Sequence, residues 1–518
     1  MRVSIINLNL VGQDAIGQNI LQQLHFFRRN GDEVCIYTLH PPEGVPEDAA
    51  ALSRVVTPTE LMAGRDAHFA ASDLYIYHYP GRYTLLDTMR TLTRGVVILY
   101  FHNVTPPELW HAAPGDTVAA DLAASLEGVQ SLAGFADLIV TPSEFNAAQL
   151  VEAHNVEAER VRVLPLAVPL EQFSPGPADP ALLARYGLAG KRVLLYVGRM
   201  AGNKRIDLLV EALAAVKQDL PDAALLLVGD TASNDSFRSV TESARRRAAD
   251  LGVAADVHLA GRVDDLAAHY RLADLYVSAS LHEGFGAPLL EAMASGVPVA
   301  ASAATAHPAV VGDAGLLFQP GDAAALASQI GRVLGDDVLY GELVRKGLAR
   351  AQAYSLDRYY YRWAEIVHEV TQWLPADAYP APVTVGAGTP ARRRQYIDVE
   401  LIGSLIDDDL RQLEARANTM QHDYVVRSQL PLIGPLLAWF RRNLTSHLRE
   451  PYVDPTFERQ ELFNWQTVQT LQVLAAQLMR LQENPAAVAD GAARIAELEQ
   501  QVVELTAEVA RLRAEGKS

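Results

Sequence analysis

The sequence is most informative between residues 282 and 299, where its letters are HEGFGAPLLEAMASGVPV. Two carboxylates, Glu283 and Glu291, stand eight positions apart. Between them, Gly284 and Gly286 permit a tight loop whose backbone N–H groups can face a ligand. Such N–H groups beside a helix N-terminus suit phosphate, and carboxylates accept hydrogen bonds from hydroxyls. The stretch therefore predicts a site for a ligand that carries both phosphates and sugar hydroxyls.

The same stretch also predicts its own local structure. Pro288 suits the first turn of a helix, because a missing N–H is harmless there. The residues after it are good helix formers, and Gly296 ends the helix. Glu283 should therefore lie in the loop before this helix, with Glu291 about two turns inside it.

Around this stretch, short apolar runs alternate with amphipathic ones. Predicted strands cover residues 3–8, 33–38, 74–78, 96–101, 138–141 and 161–164 in a first half, and 193–197, 224–228, 257–259, 275–278, 297–300 and 315–318 in a second. This alternation predicts βαβ units and parallel sheets with helices on both faces. We expect an α/β protein with two doubly wound halves, joined near residues 174–188, whose strand ends face a cleft.

The 282–299 stretch resembles the E-x7-E signature of retaining glycosyltransferases of the GT4 family, and the likeness extends over roughly residues 1–375. The resemblance implies the GT-B fold, in which two Rossmann-like domains face a cleft. It implies that Glu283 contacts the donor sugar and that Glu291 contacts the ribose of the nucleotide. It also implies that the donor is bound by Gly284, Phe285 and Gly286. The alternative, a loop acid and an acid on a helix surface, leaves the glycines and the proline unexplained.

Residues 194–207, LLYVGRMAGNKRID, have the pattern of a strand, a glycine turn and a helix. Gly198 lets the turn approach a ligand, Arg199 can grip phosphate oxygens through two N–H groups, and Lys204 acts as a point charge. The alternative is surface charge at a helix start. Cations there oppose the helix dipole, so a bound anion explains them better. The resemblance implies that these residues bind the donor diphosphate and stabilise it as it leaves.

Residues 100–107, YFHNVTPP, resemble the His-Asn segment of GT4 enzymes at a strand end that faces the cleft. The resemblance implies that His102 lies beside the sugar, where a neutral imidazole can bond a hydroxyl. The alternative is a strand-end histidine held by a local polar group. Ser143 follows another such strand end and is equally suited to cap a helix.

Residues 10–17 occupy the place of the family's Gly-Gly loop, which approaches the acceptor and the donor phosphate. Val11 replaces the first glycine, which leaves Gly12 for that contact and departs from the family pattern. Arg262 and Val263 follow a predicted strand, where relatives place a turn near the nucleotide base. Arg262 is equally compatible with a plain surface position.

Residues 407–409, DDD, contain an Asp-x-Asp pair like the metal-binding pair of GT-A enzymes. They lie outside both predicted nucleotide-binding halves, so a solvated acidic turn is the better interpretation. No other cluster has metal-ligand spacing. We therefore expect no cofactor and no metal, with Arg199 and Lys204 supplying the positive charge.

The composition agrees with a globular enzyme of several domains. The 518 residues are 49% hydrophobic and 20% charged, with a net charge of −18, which argues against a nucleic-acid partner. The single cysteine, Cys35, excludes an intramolecular disulfide. Since residues 1–7 begin as a strand rather than a signal peptide, and since no apolar run has membrane-spanning length, we expect a cytoplasmic protein.

The predicted domain plan has six parts: an acceptor-side domain at 1–183, a nucleotide-sugar-binding domain at 184–353, a crossover helix at 354–375 returning to the first domain, a linker at 376–395, a helical accessory region at 396–484 and a coiled coil at 485–518. The linker is dense in Pro, Ala and Gly. The resemblance ends there.

Two features of the C-terminal extension suggest contacts. Residues 430–442 are apolar and end in Trp-Phe-Arg-Arg, which suits either a membrane interface at the inner face or packing on the protein's own body. Within 488–512, apolar residues repeat at alternating spacings of three and four, which favours a homodimeric or partner coiled coil over a helix packed in cis. The repeat comprises Ile495, Leu498, Val502, Leu505, Val509 and Leu512.

The functional hypothesis is transfer of a sugar from a nucleotide diphosphate sugar to a hydroxyl acceptor with retention of configuration. The resemblance suggests polysaccharide or glycoconjugate synthesis of the bacterial type, with a glycan or lipid-linked acceptor. A GT-B phosphorylase or epimerase is a second enzyme class, although no pyridoxal-lysine pocket is evident. The alternative from another class is an inert GT-B scaffold that organises a complex through its coiled coil.

Overall fold

The computed structural model describes residues 1–110 and 118–372. Their strands form two parallel sheets. The first lobe is built on β1 (Arg2–Ile6), β2 (Glu33–Thr38), β3 (Ser53–Val55), β4 (Leu74–Tyr79), β5 (Val96–Phe101), β6 (Leu138–Thr141) and β7 (Val161–Val163). The second lobe is built on β8 (Arg192–Val197), β9 (Ala223–Val228), β10 (Val257–Gly261), β11 (Leu275–Ser278), β12 (Val299–Ser302) and β13 (Leu316–Phe318).

Helices connect the strands in both lobes. Before β8 they are α1 (Ala15–Arg29), α2 (Glu47–Ala51), α3 (Pro58–Met62), α4 (Ala67–Ala70), α5 (Val118–Ala133), α6 (Glu144–Glu152) and α7 (Pro180–Arg185). After it they are α8 (Ile206–Val216), α9 (Asp235–Asp250), α10 (Leu266–Tyr270), α11 (Ala287–Ala294), α12 (His307–Val311), α13 (Ala323–Gly335), α14 (Asp337–Gln352) and α15 (Leu356–Thr371). Short 3₁₀ turns lie at Thr84–Thr91, Pro107–Leu109, Ala158–Arg160, Gly202–Lys204 and Ala254–Asp256.

The strand orders confirm the predicted doubly wound architecture. They are β3-β2-β1-β4-β5-β6-β7 and β10-β9-β8-β11-β12-β13. All pairings in both sheets are parallel, and every residue of β4 and β5 is buried, as expected for strands covered on both faces. In each sheet the chain reverses its winding beside one central strand, β1 or β8. Ligands of such sheets bind at the carboxyl ends of the strands next to this switch point.

Small differences from the predicted elements have local causes. The edge strand β3 was not predicted, because three half-exposed or exposed residues carry no alternating pattern. Strand β12 begins at Val299 rather than 297, since Gly296, with φ +76°, closes the turn after α11. Helix α1 begins at Ala15, because the Asp14 carboxylate caps it and accepts the Gly17 N–H at 2.6 Å.

Helix α15 follows the second sheet in sequence but contacts the first lobe. The Tyr359 hydroxyl donates to Asn19 of α1 at 2.5 Å. Glu369 accepts two hydrogen bonds from the Arg162 guanidinium, at 2.5 and 3.0 Å. The fully buried Trp363 packs edge-to-face on Phe27, with ring centroids 6.1 Å apart. These contacts attach the end of the described chain to the lobe in which it began.

Several predictions lie outside the described residues. They are the last residues of the 354–375 helix, the linker 376–395, the accessory region 396–484, the coiled coil 485–518 with its repeat at 488–512, the apolar segment 430–442 and the acidic triplet 407–409. The boundaries 1–183 and 184–353 also stay predictions. Within residues 1–110 and 118–372, no helix combines the length and the hydropathy needed to cross a bilayer.

Candidate active site

Two loops of the second lobe meet at the carboxyl ends of β8 and β11, beside the switch point. Asn203, in the loop after β8, joins them. Its side-chain amide donates to the His282 carbonyl at 3.0 Å, and its own carbonyl accepts the Leu281 N–H at 2.8 Å. Asn203 is almost fully buried, and it directly precedes Lys204. No local sequence pattern indicates this role of Asn203, because its partners are backbone groups of a loop 79 residues away.

Lys204 and Glu283 form an ion pair in the cleft. The Lys204 Nζ lies 2.5 Å from Glu283 Oε1, and the two side chains are 12% and 19% exposed. The Glu283 N–H is bound by the hydroxyl of Thr305 at 2.8 Å. The structure thus brings together two residues that the sequence predicted separately, one for phosphate and one for sugar.

The electrostatics of this pair favour a charged carboxylate. Burial raises the pKa of Glu283, but the Lys204 charge, His307 and hydrogen bonds from Lys204 and Ser280 together outweigh burial and hold the pKa at about 2. His307 is 1% exposed, and its Nδ1 faces the Ser302 carbonyl at 3.1 Å. Thr305 and His307 were not predicted as site residues, since neither lies in a recognisable sequence motif.

Arg199 lies at the exposed end of β8, directly after Gly198. Its guanidinium carbon lies 5.9 Å from the centroid of the Phe237 ring. Its charge also acts on Asp14, in the loop after β1 of the first lobe. The pKa of Asp14 is raised, because desolvation outweighs the Gly17 N–H and the Arg199 charge. Arg199 is therefore available at the rim of the cleft, with an acidic side chain of the opposite lobe nearby.

Glu291 lies in the second turn of α11, as predicted, in an environment unlike that of Glu283. Its Oε2 accepts a hydrogen bond from the Tyr270 hydroxyl at 2.7 Å. Burial raises the pKa of Glu291 to about 7, although the Tyr270 hydrogen bond lowers it. At neutral pH this carboxyl is divided between its protonated and ionised forms.

The glycines between the two acids allow a close approach of the lobes. A Cβ at Gly284 would lie 2.6 Å from the His102 carbonyl oxygen. Gly286 directly precedes α11 with φ +103°, a conformation that favours glycine. The Phe285 ring is 5% exposed and packs against Tyr354, with centroids 5.8 Å apart. Backbone groups of this loop, rather than the Phe285 ring, are thus presented to the cleft.

Hydrogen bonds join this loop to the first lobe. The Ser143 hydroxyl donates to the Gly284 carbonyl at 2.7 Å, and the same hydroxyl caps α6. His282 Nε2 lies 2.9 Å from the Asn103 side-chain oxygen. Asn103 follows His102 and has φ +79°. Ser143 therefore caps α6, as one interpretation had it, while its contact with a ligand stays a prediction.

His102 lies directly after β5 and is held by neighbouring rings. Its Nε2 lies 2.7 Å from Nδ1 of His78, which is fully buried on β4. The Tyr100 ring lies parallel to it within 17°, with centroids 4.6 Å apart. Burial lowers the pKa of His102 to about 3, so the imidazole is neutral at physiological pH.

The remaining predicted residues are engaged locally. The Gly12 N–H donates to the Glu43 carbonyl at 2.9 Å, and a Cβ there would overlap the Gly44 oxygen. Arg262 donates to Asp230 at 2.8 Å with its side chain 54% exposed. Val263 is half-buried beside it. Among the described residues, no group of three or more His, Cys, Asp or Glu side chains is arranged to hold a metal ion.

The fold defines a class of protein. The fold of this chain matches that of the sucrose-phosphate synthase of Thermosynechococcus elongatus with a TM-score of 0.58 and 23% identity, over 72% of this chain and 99% of that one. The Anabaena HepE protein, solved in complex with UDP, matches with a TM-score of 0.60 and 20% identity, over 71% of this chain and all of that one. The described residues therefore have the predicted GT-B architecture.

The sequence places the chain within that class. The family described as Glycosyl transferases group 1 matches residues 191–336. The O-antigen chain mannosyltransferase B of Escherichia coli is 32% identical over 289 residues, which are 54% of this chain and 71% of that protein. The D-inositol 3-phosphate glycosyltransferase of Acidothermus cellulolyticus is 36% identical over 239 residues, 44% of this chain and about half, 52%, of its own length. The chain belongs to the group 1 glycosyl transferases, and the predicted enzyme class is confirmed.

Proposed function

We propose that this glycosyltransferase moves a sugar from a nucleotide diphosphate donor to a hydroxyl acceptor with retention of configuration. The observation that carries the proposal is the Lys204–Glu283 pair at the switch point of the second lobe. A cation and a carboxylate held together there can bind the two parts of such a donor at once. Glu283 accepts sugar hydroxyls, and Lys204 faces the diphosphate.

The leaving diphosphate is the group that needs stabilisation. Negative charge develops on it as the bond to the anomeric carbon breaks, and the sugar becomes oxocarbenium-like. Lys204 and Arg199 stand at the carboxyl end of β8, just before α8. These groups are in place before the charge develops, which is the condition for electrostatic catalysis.

Glu291 is proposed to bind the ribose. Its carboxyl accepts the Tyr270 hydroxyl through one oxygen, so the other is available to a ribose hydroxyl. The names of two similar proteins include a nucleotide sugar donor, one with uridine and one with guanosine. HepE was solved with UDP-glucose, and a Mycolicibacterium smegmatis mannosyltransferase is named as dependent on GDP-mannose. A uridine and a guanosine donor are therefore the first two to test.

Retention follows from the proposed course of the reaction. The acceptor attacks on the face from which the diphosphate departs, and the departing phosphate takes the acceptor proton. Arg199 and Lys204 would do the electrostatic work that a metal does in other transferases, so no metal is required. The acceptor is proposed to be a glycan or a lipid-linked glycan in the cytoplasm, at the inner face of the membrane. This proposal is supported by the similarity to the E. coli protein, which is named as an O-antigen chain mannosyltransferase.

The test is donor turnover by the purified full chain with UDP-glucose, GDP-mannose and related donors, with and without EDTA. We expect transfer with one donor, unchanged by EDTA, and a product anomer that matches the donor by NMR. Glu283→Gln should abolish most of the transfer. Asp256→Asn is the matched control, because Asp256 pairs with Lys191 at 2.9 Å near the amino end of β8. Equal rates in the two variants would refute the site, and an inverted product would refute retention.

A further inference from the structure

Three polar side chains form a row that leads from the core to the cleft. Gln23 lies on α1, His78 on β4 and His102 directly after β5. The Gln23 Oε1 lies 3.0 Å from His78 Nε2, and His78 Nδ1 lies 2.7 Å from His102 Nε2. Gln23 and His78 are fully buried. None of the predicted contacts with the donor or the acceptor uses Gln23 or His78.

The first member of the row decides which atoms donate. An amide oxygen can only accept, so His78 must donate to it from Nε2. A neutral imidazole carries one N–H, so His78 Nδ1 can only accept. His102 must then donate from its own Nε2. That leaves Nδ1 of His102 as an acceptor without a proton.

The orientation of the Gln23 amide is set by its other neighbour. The Tyr359 hydroxyl donates its hydrogen to Asn19 at 2.5 Å, so its oxygen can only accept from elsewhere. Burial raises the pKa of Tyr359, and the Gln23 side chain lowers it. An amide oxygen beside this hydroxyl would find no hydrogen to accept, whereas the Gln23 oxygen lies 3.0 Å from His78 Nε2. The nitrogen thus faces Tyr359, and the oxygen faces His78.

Ring packing prevents His102 from turning away from this bond. The planes of His78 and His102 lie within 14° of parallel, with centroids 5.0 Å apart. Tyr100 lies parallel to His102, with centroids 4.6 Å apart, and it also contacts His78 at 5.3 Å. A flip of the His102 ring would break its hydrogen bond to His78. The pKa values of both imidazoles are lowered by burial, so both rings stay neutral.

We propose that Gln23 and His78 are positioning residues that fix His102 as its Nε2–H tautomer, so that its Nδ1 accepts a hydrogen bond from a substrate hydroxyl. The proposal deepens the proposed function and rests on it for the presence of a hydroxyl in the cleft. It also limits what His102 can do. A ring nitrogen without a proton repels phosphate oxygens and carbonyls, and it accepts from O–H groups. His102 is therefore assigned to the sugar side of the donor or to the acceptor, and not to the diphosphate.

The experiment is long-range ¹H–¹⁵N NMR of the full chain with labelled histidine. The chain has 14 histidines, so the His102 signals are assigned as those lost in His102→Gln. In the wild type we expect a single tautomer of His102 with the proton on Nε2. A proton on Nδ1 would overturn the proposal outright, whatever the state of the variants.

Variants of His78 test the cause of the tautomer. His78→Phe keeps the ring but removes the acceptor, so His102 should become a mixture of tautomers. His78→Asn places an amide near the former Nδ1 and should restore the wild-type tautomer. His154→Phe is the matched control, because this half-buried histidine of the same lobe packs on Phe101 outside the row. An unchanged His102 tautomer in a folded His78→Phe variant would refute the role of His78.

Kinetics connect the tautomer to the reaction. His78→Phe should lower kcat about three- to tenfold, which is the effect of one neutral hydrogen bond, and His78→Asn should recover most of it. A loss in both variants with equal melting temperatures would contradict the proposal. Because the NMR result needs no substrate, a wild type without donor turnover would refute the proposed function and leave the tautomer assignment standing.

Discussion

The two lobes present opposite chemistry to the cleft. The second lobe offers a charged pair, Lys204 and Glu283, whereas the first offers His102 hydrogen-bonded to His78, both neutral. All four side chains are at least partly removed from water. The difference lies in their partners: Glu283 has an ammonium at 2.5 Å, and His102 has only an uncharged ring at 2.7 Å.

The same contrast separates the two acids of the second lobe. Glu283 has a pKa of about 2, while Glu291, eight residues later, has a pKa of about 7. Burial raises the pKa of both carboxyls. Only Glu283 has a neighbouring cation to outweigh burial, since the partner of Glu291 is the neutral Tyr270. In this cleft a buried group keeps its charge only where an opposite charge touches it.

The largest effect is expected from removing that cation. Lys204→Ala should lower kcat/KM about 10²- to 10³-fold, because the leaving group loses a preorganised charge. The pKa of Glu283 should rise at the same time, so the loss should grow as pH falls toward 4. Steady-state kinetics against Lys191→Ala checks this, since Lys191 also pairs with a carboxylate but at the other end of β8. Comparable activity in the two lysine variants would contradict a special role for the charged pair that distinguishes the second lobe from the first.

A smaller loss of activity is expected when Arg199, at the rim of the cleft, is replaced. Arg199→Ala should lower kcat/KM about 10- to 100-fold, because Arg199 is exposed and its charge is screened more than that of Lys204. A higher salt concentration should reduce the difference in kcat/KM between the wild type and Arg199→Ala. The difference between the wild type and Lys204→Ala should stay nearly unchanged. Arg192→Ala, an exposed arginine at the start of β8, is the control and should show no deficit.

Glu291 should give donor binding a pH dependence. Its pKa is raised in the folded chain, so the ionised form that binds hydroxyls best appears as pH rises through about 7. We expect donor Kd, measured by calorimetry from pH 5.5 to 8.5, to improve severalfold to about tenfold across that step. Tyr270→Phe should move the step to higher pH, because the hydrogen bond that lowers the pKa is lost. A step that persists in Glu291→Gln would assign it to another group.

The same group should affect stability, with a definite sign. The folded pKa of Glu291 lies above its unfolded value of 4.5, so the folded state binds more protons between those values. Its contribution to the free energy of unfolding is therefore present below about pH 4.5 and is lost as pH rises toward 7. Glu291→Gln should remove this decline, which amounts to about 1–3 kcal/mol. Urea unfolding at pH 4.5 and pH 8 measures it, and an equal slope in both proteins would contradict the assignment.

The smallest effect is expected at the contact between the lobes. Ser143→Gly removes the hydrogen bond to the Gly284 carbonyl while costing the α6 cap only a few tenths of a kcal/mol. Donor KM should rise about two- to fivefold with the melting temperature little changed. Ser355→Gly, at the cap of α15, changes a helix cap without a cleft contact and is the control. If Ser143→Gly changed the melting temperature but not the donor KM, Ser143 would act as a helix cap without a role in donor binding.

The local patterns of the sequence were sufficient for the fold and for the identity of the main charged residues. Apolar runs of strand length predicted twelve of the strands, because strands buried on both faces need continuous apolar sequence. Glu283, Glu291 and Lys204 stood out because glycines and a proline surround them in a spacing that only a loop before a helix explains. Edge strand β3 carried too weak a signal, because its three residues show no alternating pattern.

The roles of neighbouring residues required tertiary structure. Asn203, Thr305, His307 and His78 act through partners distant in the chain, and no local spacing encodes such contacts. The charge states of Glu283, Glu291 and His102 also could not be predicted from the sequence, since a pKa is set by desolvation and by the nearest partner. The sequence by itself therefore determined which chemical groups reach the cleft. The packing within each lobe decided which of these groups are charged there.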